Sequence, residues 1–179
     1  MTINVALAGA GAFGIKHLDA MSNIEDVRVV SIVGRTLEPT EAVAAKYGIG
    51  HVTTDLAESL ALEEVDAVVL ATPTQMHAVQ SIACLDAGKH VEVEIPLCDN
   101  LADGRRVVEA QQRTGLVAMC GHTRRFNPSH QWVNRRVQAN EFAIQQMDVQ
   151  TYFFRRTNTN ALGNARSWTD HLLWHHAAH

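Results

Sequence analysis

The sequence predicts an α/β fold with a doubly wound parallel sheet, followed by the beginning of a second, α+β domain. Three observations carry this prediction. Six short apolar runs alternate with helical segments as far as Gly121, which is the pattern of parallel strands joined by helical crossovers. A G-x-G-x-x-G turn at residues 9–14 joins the first run to the first helix. After Gly121 the alternation stops.

The predicted strands are short, valine-rich runs bounded by turn residues. They cover residues 3–8, 27–33, 51–53, 66–71, 90–94 and 116–120. The predicted helices between them cover residues 15–21, about 39–47, a segment from 55, about 75–87 and about 101–114. Glycines at 48, 88 and 115 end three of these helices, and Gly48 is expected to be a C-cap. Asp55 and Glu58 have the spacing of a capping box, which predicts where the third helix begins.

The glycine turn predicts a dinucleotide site. A buried strand leads into Gly9-Ala10-Gly11-Ala12-Phe13-Gly14 and a helix follows, which is the context that this motif requires. The three glycines allow a tight turn, a close approach of the backbone to a pyrophosphate, and close packing of helix on strand. The helix N-terminus offers unpaired N–H groups to the phosphates. The residues therefore predict a Rossmann domain; the alternative is a glycine-rich turn without a ligand.

The residues after Gly121 predict a different organisation. Asn127 and Pro128 are an N-cap residue and a proline at the first helical position, and they predict a helix. Residues 144–154 predict one long strand, residues 158–167 a polar loop, and a helix through Trp174 reaches His179. Since one strand and two helices cannot build a sheet-based domain, we expect residues 1–121 to form the nucleotide-binding domain and 122–179 only the start of a second one. Alternatively, the tail folds back on the first domain or pairs with a partner chain.

Composition excludes some functions. The net charge of −4 gives no basic surface for nucleic acid or membrane, and no apolar run reaches the roughly 20 residues that span a bilayer. The N-terminus has no basic segment before its apolar stretch, so we expect no secretory signal. The 3 cysteines lack C-x-x-C spacing, which predicts buried thiols in a reducing compartment. We expect a cytoplasmic protein.

The end of the second predicted strand bears on cofactor choice. NAD-binding sites usually carry an acidic residue here, about 20 residues after the glycines, for the ribose 2′-hydroxyl. This chain has Gly34-Arg35-Thr36 instead, and a guanidinium can bind a 2′-phosphate with two hydrogen bonds. Arg35 therefore predicts NADP, with NAD possible; the alternative is a solvated arginine beside the adenine, which suits either cofactor.

Four motifs together resemble the glucose-fructose oxidoreductase/inositol dehydrogenase (Gfo/Idh/MocA) family. They are the glycine turn, Ala71-Thr72-Pro73-Thr74-Gln75-Met76-His77, Glu94-Ile95-Pro96 and Gly121-His122-Thr123-Arg124-Arg125-Phe126-Asn127-Pro128. Runs at 93–97, 147–158 and 168–179 resemble members that oxidise the cyclic hemiacetal of an aromatic ring-cleavage product with NADP. The resemblance implies an oxidoreductase of this kind, longer than this chain, with a C-terminal α/β domain for substrate binding and oligomerisation.

The same resemblance implies the partners and the cofactor-binding residues. The substrate would be a small dicarboxylate, the full-length protein a homodimer, and neither nucleic acid nor membrane a partner. The cofactor-binding residues would be Gly9, Gly11, Ala12, Phe13, Gly14, Arg35, Thr72, Pro73, Thr74, His77, Glu94 and Pro96. Two of them have alternatives: His77 as a core histidine of a helix, and Glu94 as a buried structural glutamate.

The catalytic residues depart from the family pattern. The family usually has Glu-Lys-Pro after the fifth strand, and this chain has Ile95 in place of the lysine. The family's Asp and His, four apart on a helix, correspond to His175 and His179. Hydride transfer needs a base for one hydroxyl proton, and histidine titrates in the right range. We expect His179, then His176, to be the base, with His175 as its partner.

The histidine cluster and the arginines leave alternatives open. The cluster could pack or be solvated, or hold a metal, but it lacks H-E-x-x-H and we expect no metal. The resemblance implies substrate binding by His122, Arg124, Arg125, Arg166 and Trp168. Arginine binds carboxylates with two hydrogen bonds, although arginines commonly face water. The alternative functions are a non-catalytic NADP-binding module and a Gfo/Idh-type dehydrogenase of another hydroxyl substrate.

Overall fold

The structure is a computed structural model that describes residues 1–148, 150, 159 and 165. The chain divides into two compact units, unit 1 at Met1–Gly121 and unit 2 at His122–His179. Unit 1 contains a six-stranded sheet. Across the ranges that the structure describes, each helix is too short or too polar to cross a membrane.

All neighbouring strands of the sheet are parallel. The strands are β1 (Ile3–Ala8), β2 (Val27–Val33), β3 (His51–Thr53), β4 (Ala67–Leu70), β5 (His90–Val93) and β6 (Ala118–Cys120). Their order across the sheet is β3-β2-β1-β4-β5-β6. The chain therefore winds outward from β1 in one direction and from β4 in the other, and the predicted doubly wound α/β class is confirmed.

The helices follow the predicted order. They are α1 (Ala12–Met21), α2 (Leu37–Tyr47), α3 (Leu56–Leu60), α4 (Thr74–Asp86), α5 (Leu101–Thr114) and α6 (Pro128–Gln138), with a short 3₁₀ helix at Thr123–Phe126. Gly48 and Gly115 end α2 and α5 as predicted, each as the C-cap. Helix α4 ends at Asp86, and its C-cap is Ala87, directly before Gly88. Helix α1 begins earlier than the predicted residue 15, because the Ile15 N–H already donates to the Gly11 carbonyl at 2.9 Å.

The core lies on both faces of the sheet. Ala6 and Ala8 belong to one apolar cluster, whereas Leu7, between them, belongs to the other. Successive strand residues point to opposite faces, so one apolar cluster covers each face of the sheet. Leu18 of α1 and Ala44 of α2 pack on the Leu7 side, while residues of α3, α4 and α5 pack on the Ala6 side. Burial on both faces accounts for valine-rich strands without polar alternation.

Helix α3 corrects one detail of its predicted cap. Asp55 is the N-cap, and its Oδ1 accepts from the Ala57 N–H at 2.9 Å. Glu58, however, does not reach back to the Asp55 N–H as in a capping box. The Glu58 carboxylate accepts from the Thr53 hydroxyl, and that hydroxyl accepts from the Asp55 N–H at 3.0 Å. The threonine at the end of β3 therefore stands between the two residues.

Unit 2 confirms one predicted element and corrects another. Helix α6 begins at Pro128, and the Asn127 side chain caps it by accepting from the Ser129 N–H at 3.0 Å. The predicted strand at 144–154 is wrong for its described part, since residues 144–148 and Gln150 form no strand. A strand needs a neighbour for its N–H and C=O groups, and no described residue pairs with this segment. Thr159 and Ala165 form an antiparallel bridge within the predicted loop.

Candidate functional site

The glycine turn after β1 is shaped by close backbone approaches. Gly9 has φ of +110°, a conformation that L side chains rarely adopt, and an added Cβ would overlap the Ala71 carbonyl at the end of β4. At Gly14 an added Cβ would overlap the Gly9 carbonyl, so the helix sits directly on the turn. Gly11 differs, because an added Cβ there would meet nothing within 4 Å. Its outer side is open space.

The N-terminus of α1 faces that open space without a side-chain cap. Gly11 is the N-cap residue and makes no side-chain hydrogen bond, and the first turn contains no acidic residue. Ala12 and Phe13 are exposed. The first N–H groups of a helix lack partners within the helix and favour an anion. The turn is thus a cradle for a pyrophosphate, which a side chain at residue 11 would fill.

The end of β2 carries Arg35 at an exposed corner. Thr36 is the N-cap of α2 and forms no side-chain cap bond. The Thr40 hydroxyl donates to the Thr36 carbonyl at 2.6 Å and so stabilises the first turn of α2. Arg35 directly precedes this N-cap residue and therefore lies beside a helix N-terminus that has no side-chain cap.

The end of β4 leads into the predicted Thr72-Pro73-Thr74 segment. The Thr72 hydroxyl donates to Gln80 Oε1 at 2.5 Å, and Pro73 is the N-cap residue of α4. His77 is 1% exposed. Its Nδ1 is 2.7 Å from the Pro96 carbonyl and its Nε2 is 2.8 Å from the Thr72 carbonyl. Of the two interpretations that the sequence left open for His77, the structure places it in the core, where it ties the β4 and β5 loops together.

The end of β5 holds a pair of ionisable groups. The Glu94 N–H donates to the Leu70 carbonyl at 3.0 Å and extends the ladder with β4. Glu94 Oε1 is 2.8 Å from His17 Nε2, and Glu94 Oε2 accepts from the Ile95 N–H at 3.2 Å. Burial acts to raise the pKa of Glu94, but these two hydrogen bonds and the charge of His17 lower it overall. Glu94 is therefore a carboxylate held in place by α1.

His17 is a site residue that the sequence analysis missed. The hydrogen bond with Glu94 raises its pKa, against the effect of burial, and the negative charges of Glu92 and Glu94 add to this rise. The spacing could have indicated it, because His17 lies one turn after Gly14 and points back over the strand ends. Its partner, Glu94, is 77 residues away along the chain, so no local sequence pattern indicates this contact.

These strand ends meet at one edge of the sheet. Because β2, β1, β4 and β5 are adjacent and parallel, Arg35, Gly9, Thr72 and Glu94 follow one another in that order along the carboxyl edge. The strand order reverses between β1 and β4, and ligands of open α/β sheets bind at such a point. The open cradle at Gly11 and the N-terminus of α1, which has neither a side-chain cap nor an acidic residue in its first turn, fit a dinucleotide.

The predicted substrate-binding residues fall in unit 2. Arg124 and Arg125 lie in the 3₁₀ helix, and His122 directly precedes it. Burial and the charge of Arg125 lower the pKa of His122. The remaining predicted residues lie outside the described residues: Arg166, Trp168, His175, His176 and His179.

Comparison with known proteins identifies the family. The model for the oxidoreductase family with the NAD-binding Rossmann fold matches residues 3–122, and that for the C-terminal part of bacterial oxidoreductases matches residues 128–179. A 4-carboxy-2-hydroxymuconate-6-semialdehyde dehydrogenase from Sphingobium sp. is 65% identical over 99% of this chain and 56% of that protein. An inositol 2-dehydrogenase from Rhodococcus erythropolis is 36% identical over 70% of this chain and 37% of that protein.

A solved structure agrees with the fold. The WlbA dehydrogenase from Bordetella pertussis, determined with NADH and UDP-GlcNAcA, is 29% identical with a TM-score of 0.74, over 79% of this chain and 44% of that one. The chain spans about half or less of the length of the relatives it matches. With two thirds of its residues matched by one family model, it belongs to the glucose-fructose oxidoreductase/inositol dehydrogenase family of oxidoreductases with an NAD-binding Rossmann fold.

Proposed function

We propose that the protein containing this chain is a NADP-dependent dehydrogenase. It oxidises the cyclic hemiacetal of 4-carboxy-2-hydroxymuconate-6-semialdehyde to 2-pyrone-4,6-dicarboxylate, a step of protocatechuate 4,5-cleavage in the breakdown of aromatic compounds. The observation that carries the proposal is the 65% identity to a dehydrogenase of that name, over 99% of the chain. The reaction class also agrees with the family and with the cradle at the carboxyl edge of the sheet.

The residues of unit 1 would bind and orient the cofactor. The turn at Gly9–Gly14 and the first N–H groups of α1 would hold the pyrophosphate. Thr72–Thr74 and Glu94 would line the nicotinamide end, since they follow β4 and β5. When bound, the nicotinamide accepts the hydride that leaves the hemiacetal carbon. Ile95 stands where the family usually has its lysine, so this position would supply no ammonium group to the reaction.

Arg35 supports NADP over NAD. It stands at the end of β2, where a 2′-phosphate would lie, beside the uncapped N-terminus of α2. A phosphate there gains charge-assisted hydrogen bonds from the guanidinium. We predict that Arg35→Ala weakens NADP binding by about tenfold or more, equivalent to about 1.4 kcal/mol, and leaves NAD binding unchanged. Isothermal titration calorimetry with both cofactors measures this; equal losses for both would show that Arg35 contacts the adenine instead.

Unit 2 would supply the substrate site. His122, Arg124, Arg125, Arg166 and Trp168 would bind a substrate with two carboxylates, in which the arginines form bidentate pairs. His179, with His176 and His175 beside it, would take the hydroxyl proton while the hydride leaves and the lactone carbonyl forms. The full-length protein would act as a homodimer in the cytoplasm.

One observation favours a second candidate, a NADP-binding module without catalysis. Ile95 stands where the family usually has its lysine, so the usual proton relay is incomplete. The dehydrogenase remains the better proposal if a hemiacetal is more easily oxidised than an ordinary alcohol, since the lysine is then dispensable.

The decisive experiment follows NADPH formation by the whole protein with the protocatechuate 4,5-cleavage product, with NAD in parallel. Turnover with NADP, lost in His179→Ala with unchanged NADP affinity, is the expected result. Cofactor binding without turnover on this substrate would select the binding module or a dehydrogenase of another hydroxyl compound. Absence of binding to either cofactor would overturn both candidates.

A further inference from the structure

A second carboxyl group lies beside the Glu94–His17 pair. Glu92 and Glu94 are two residues apart on β5, so their side chains share one face of the sheet, whereas Val91 and Val93 are buried in the core on the other face. Glu92 Oε2 is buried and has no hydrogen-bond partner among the described residues. A buried carboxyl oxygen without a partner is costly. The function proposed above gives this group no role.

The space for the Glu92 carboxyl is created by a glycine on the neighbouring strand end. Gly121 is joined to β5, since its N–H donates to the Val93 carbonyl at 2.8 Å. A Cβ at residue 121 would lie 2.6 Å from Glu92 Oε1, closer than a Cβ can approach. Because residue 121 has no side chain, the Glu92 carboxyl has room beside Gly121, on the sheet face where His17 lies.

Three titratable groups, each on a different element, lie near Glu92. They are His17 of α1, Glu94 at the end of β5 and Cys120 of β6, whose thiol pKa is raised to about 11 by burial and by the charges of Glu92 and Glu94. On β4 the neighbour of Glu92 is Val69, which carries no charge. Burial raises the pKa of Glu92 to about 7, the charge of Glu94 raises it and that of His17 lowers it. Glu92 thus ionises where a histidine ordinarily loses its proton.

We propose that Glu92 is a positioning residue for Glu94, acting through the imidazole of His17. The negative charge of Glu92, placed on the same sheet face as Glu94, keeps His17 protonated and hydrogen-bonded to Glu94. As the pH rises, Glu92 loses its proton, and its negative charge then stabilises the protonated form of His17. The Glu94 carboxylate is therefore fixed at the end of β5 over a wider pH range than a lone His–Glu pair would allow. Only the benefit for the nicotinamide site rests on the function proposed above.

The test is an NMR titration of His17 in the whole chain without cofactor, so it does not depend on nucleotide binding. The imidazole signal is assigned with His17→Asn, and its titration midpoint is compared in the wild type, Glu92→Gln and Glu92→Asp. We expect the midpoint to move down in Glu92→Gln and to be largely restored in Glu92→Asp. Glu109→Gln, an exposed glutamate of α5, is the matched control and should leave the midpoint unchanged. Equal midpoints in Glu92→Gln and the wild type would overturn the proposal.

A measurement on the wild type keeps the test valid even if Glu92→Gln does not fold. With carboxyl-labelled glutamate, the Glu92 signal should titrate near neutral pH, and the His17 signal should show an inflection at the same pH. Independent titration of the two groups would overturn the proposal. In the whole enzyme, Glu92→Gln should then lose kcat/KM mainly on the alkaline side, whereas a purely structural role would lower it at every pH.

Discussion

Gly11 and Gly14 belong to one motif, yet the structure gives them separate physical roles. A side chain at Gly14 would overlap the Gly9 carbonyl, whereas at Gly11 it would enter open space in front of α1. We therefore expect Gly11 to leave room for a ligand, whereas Gly14 allows α1 to pack closely on the turn.

Alanine substitutions should separate these roles. We predict that Gly14→Ala lowers the free energy of unfolding by about 1–3 kcal/mol, the usual cost of overpacking. Gly11→Ala should keep wild-type stability but weaken nucleotide binding about tenfold or more, since its Cβ occupies the pyrophosphate cradle. Urea unfolding and calorimetry measure the two effects. Gly50→Ala is the control, because Gly50 also has open space around it and directly precedes β3, at the amino edge of the sheet; equal stability losses at 11 and 14 would contradict the assignment.

Glu92 should also make stability depend on pH. Its pKa is about 7 in the folded protein and 4.5 ordinarily, so between these values the folded protein holds a proton that the unfolded chain has released. The free energy of unfolding should therefore fall as the pH rises through this window, and level off for this group above about pH 7. Glu92→Gln should remove this part of the slope. Urea unfolding at several pH values checks it; an identical slope in both proteins would contradict the buried carboxyl.

At the residue scale, the sequence predicts those site residues whose positions depend on local geometry. The glycine turn and Arg35 follow from a fixed spacing after a strand. The contact of His17 with Glu94 joins residues 77 positions apart and depends on how far α1 reaches over the sheet, so no local pattern contains it. His77 shows the same limit, since its two carbonyl partners lie on loops after β4 and β5.

At the element scale, caps are well encoded because they are local. Asn100 caps α5 by accepting from the Asp103 N–H at 2.9 Å. We predict that Asn100→Ala lowers the free energy of unfolding by about 1 kcal/mol, whereas Asn100→Asp, which keeps an acceptor, stays close to the wild type. Urea denaturation followed by circular dichroism measures both. A loss of the same size in Asn100→Asp would show that the side-chain amide, which also donates to Asp103 Oδ2 at 2.7 Å, matters more than the cap.

Elements that need a distant partner are encoded less well. The prediction that Asp55 caps α3 is confirmed, but the predicted bond between Asp55 and Glu58 does not form, because the Thr53 hydroxyl donates to the Glu58 carboxylate instead. The apolar residues at 144–148 have a strand-like composition, yet a strand forms only where a neighbour satisfies its backbone. Ile144 and Met147 are instead 50% and 73% exposed. The predicted strands of unit 1 do form, because each of them pairs with at least one neighbour in the sheet.

At the scale of the whole molecule, the described core is confined to unit 1. Every buried hydrophobic residue in the described ranges lies between Val5 and Ala110, and α6 of unit 2 buries no residue. Among the described residues, all members of the two apolar clusters that cover the sheet lie within residues 1–121. The cradle, Arg35 and the Glu92–His17–Glu94 group lie within the same range.

We therefore predict that residues 1–121, produced alone, fold cooperatively and bind the nicotinamide cofactor with an affinity close to that of the whole chain. Burial of apolar surface dominates folding stability, and this segment retains all of the described core. Thermal unfolding by circular dichroism and calorimetric binding of NADP measure both properties, with Gly11→Ala in the shortened chain as the control that should bind more weakly. A chain of 121 residues that melts without cooperativity would mean that residues from 122 onward complete the core. A folded chain that does not bind the cofactor would place part of the binding site beyond Gly121.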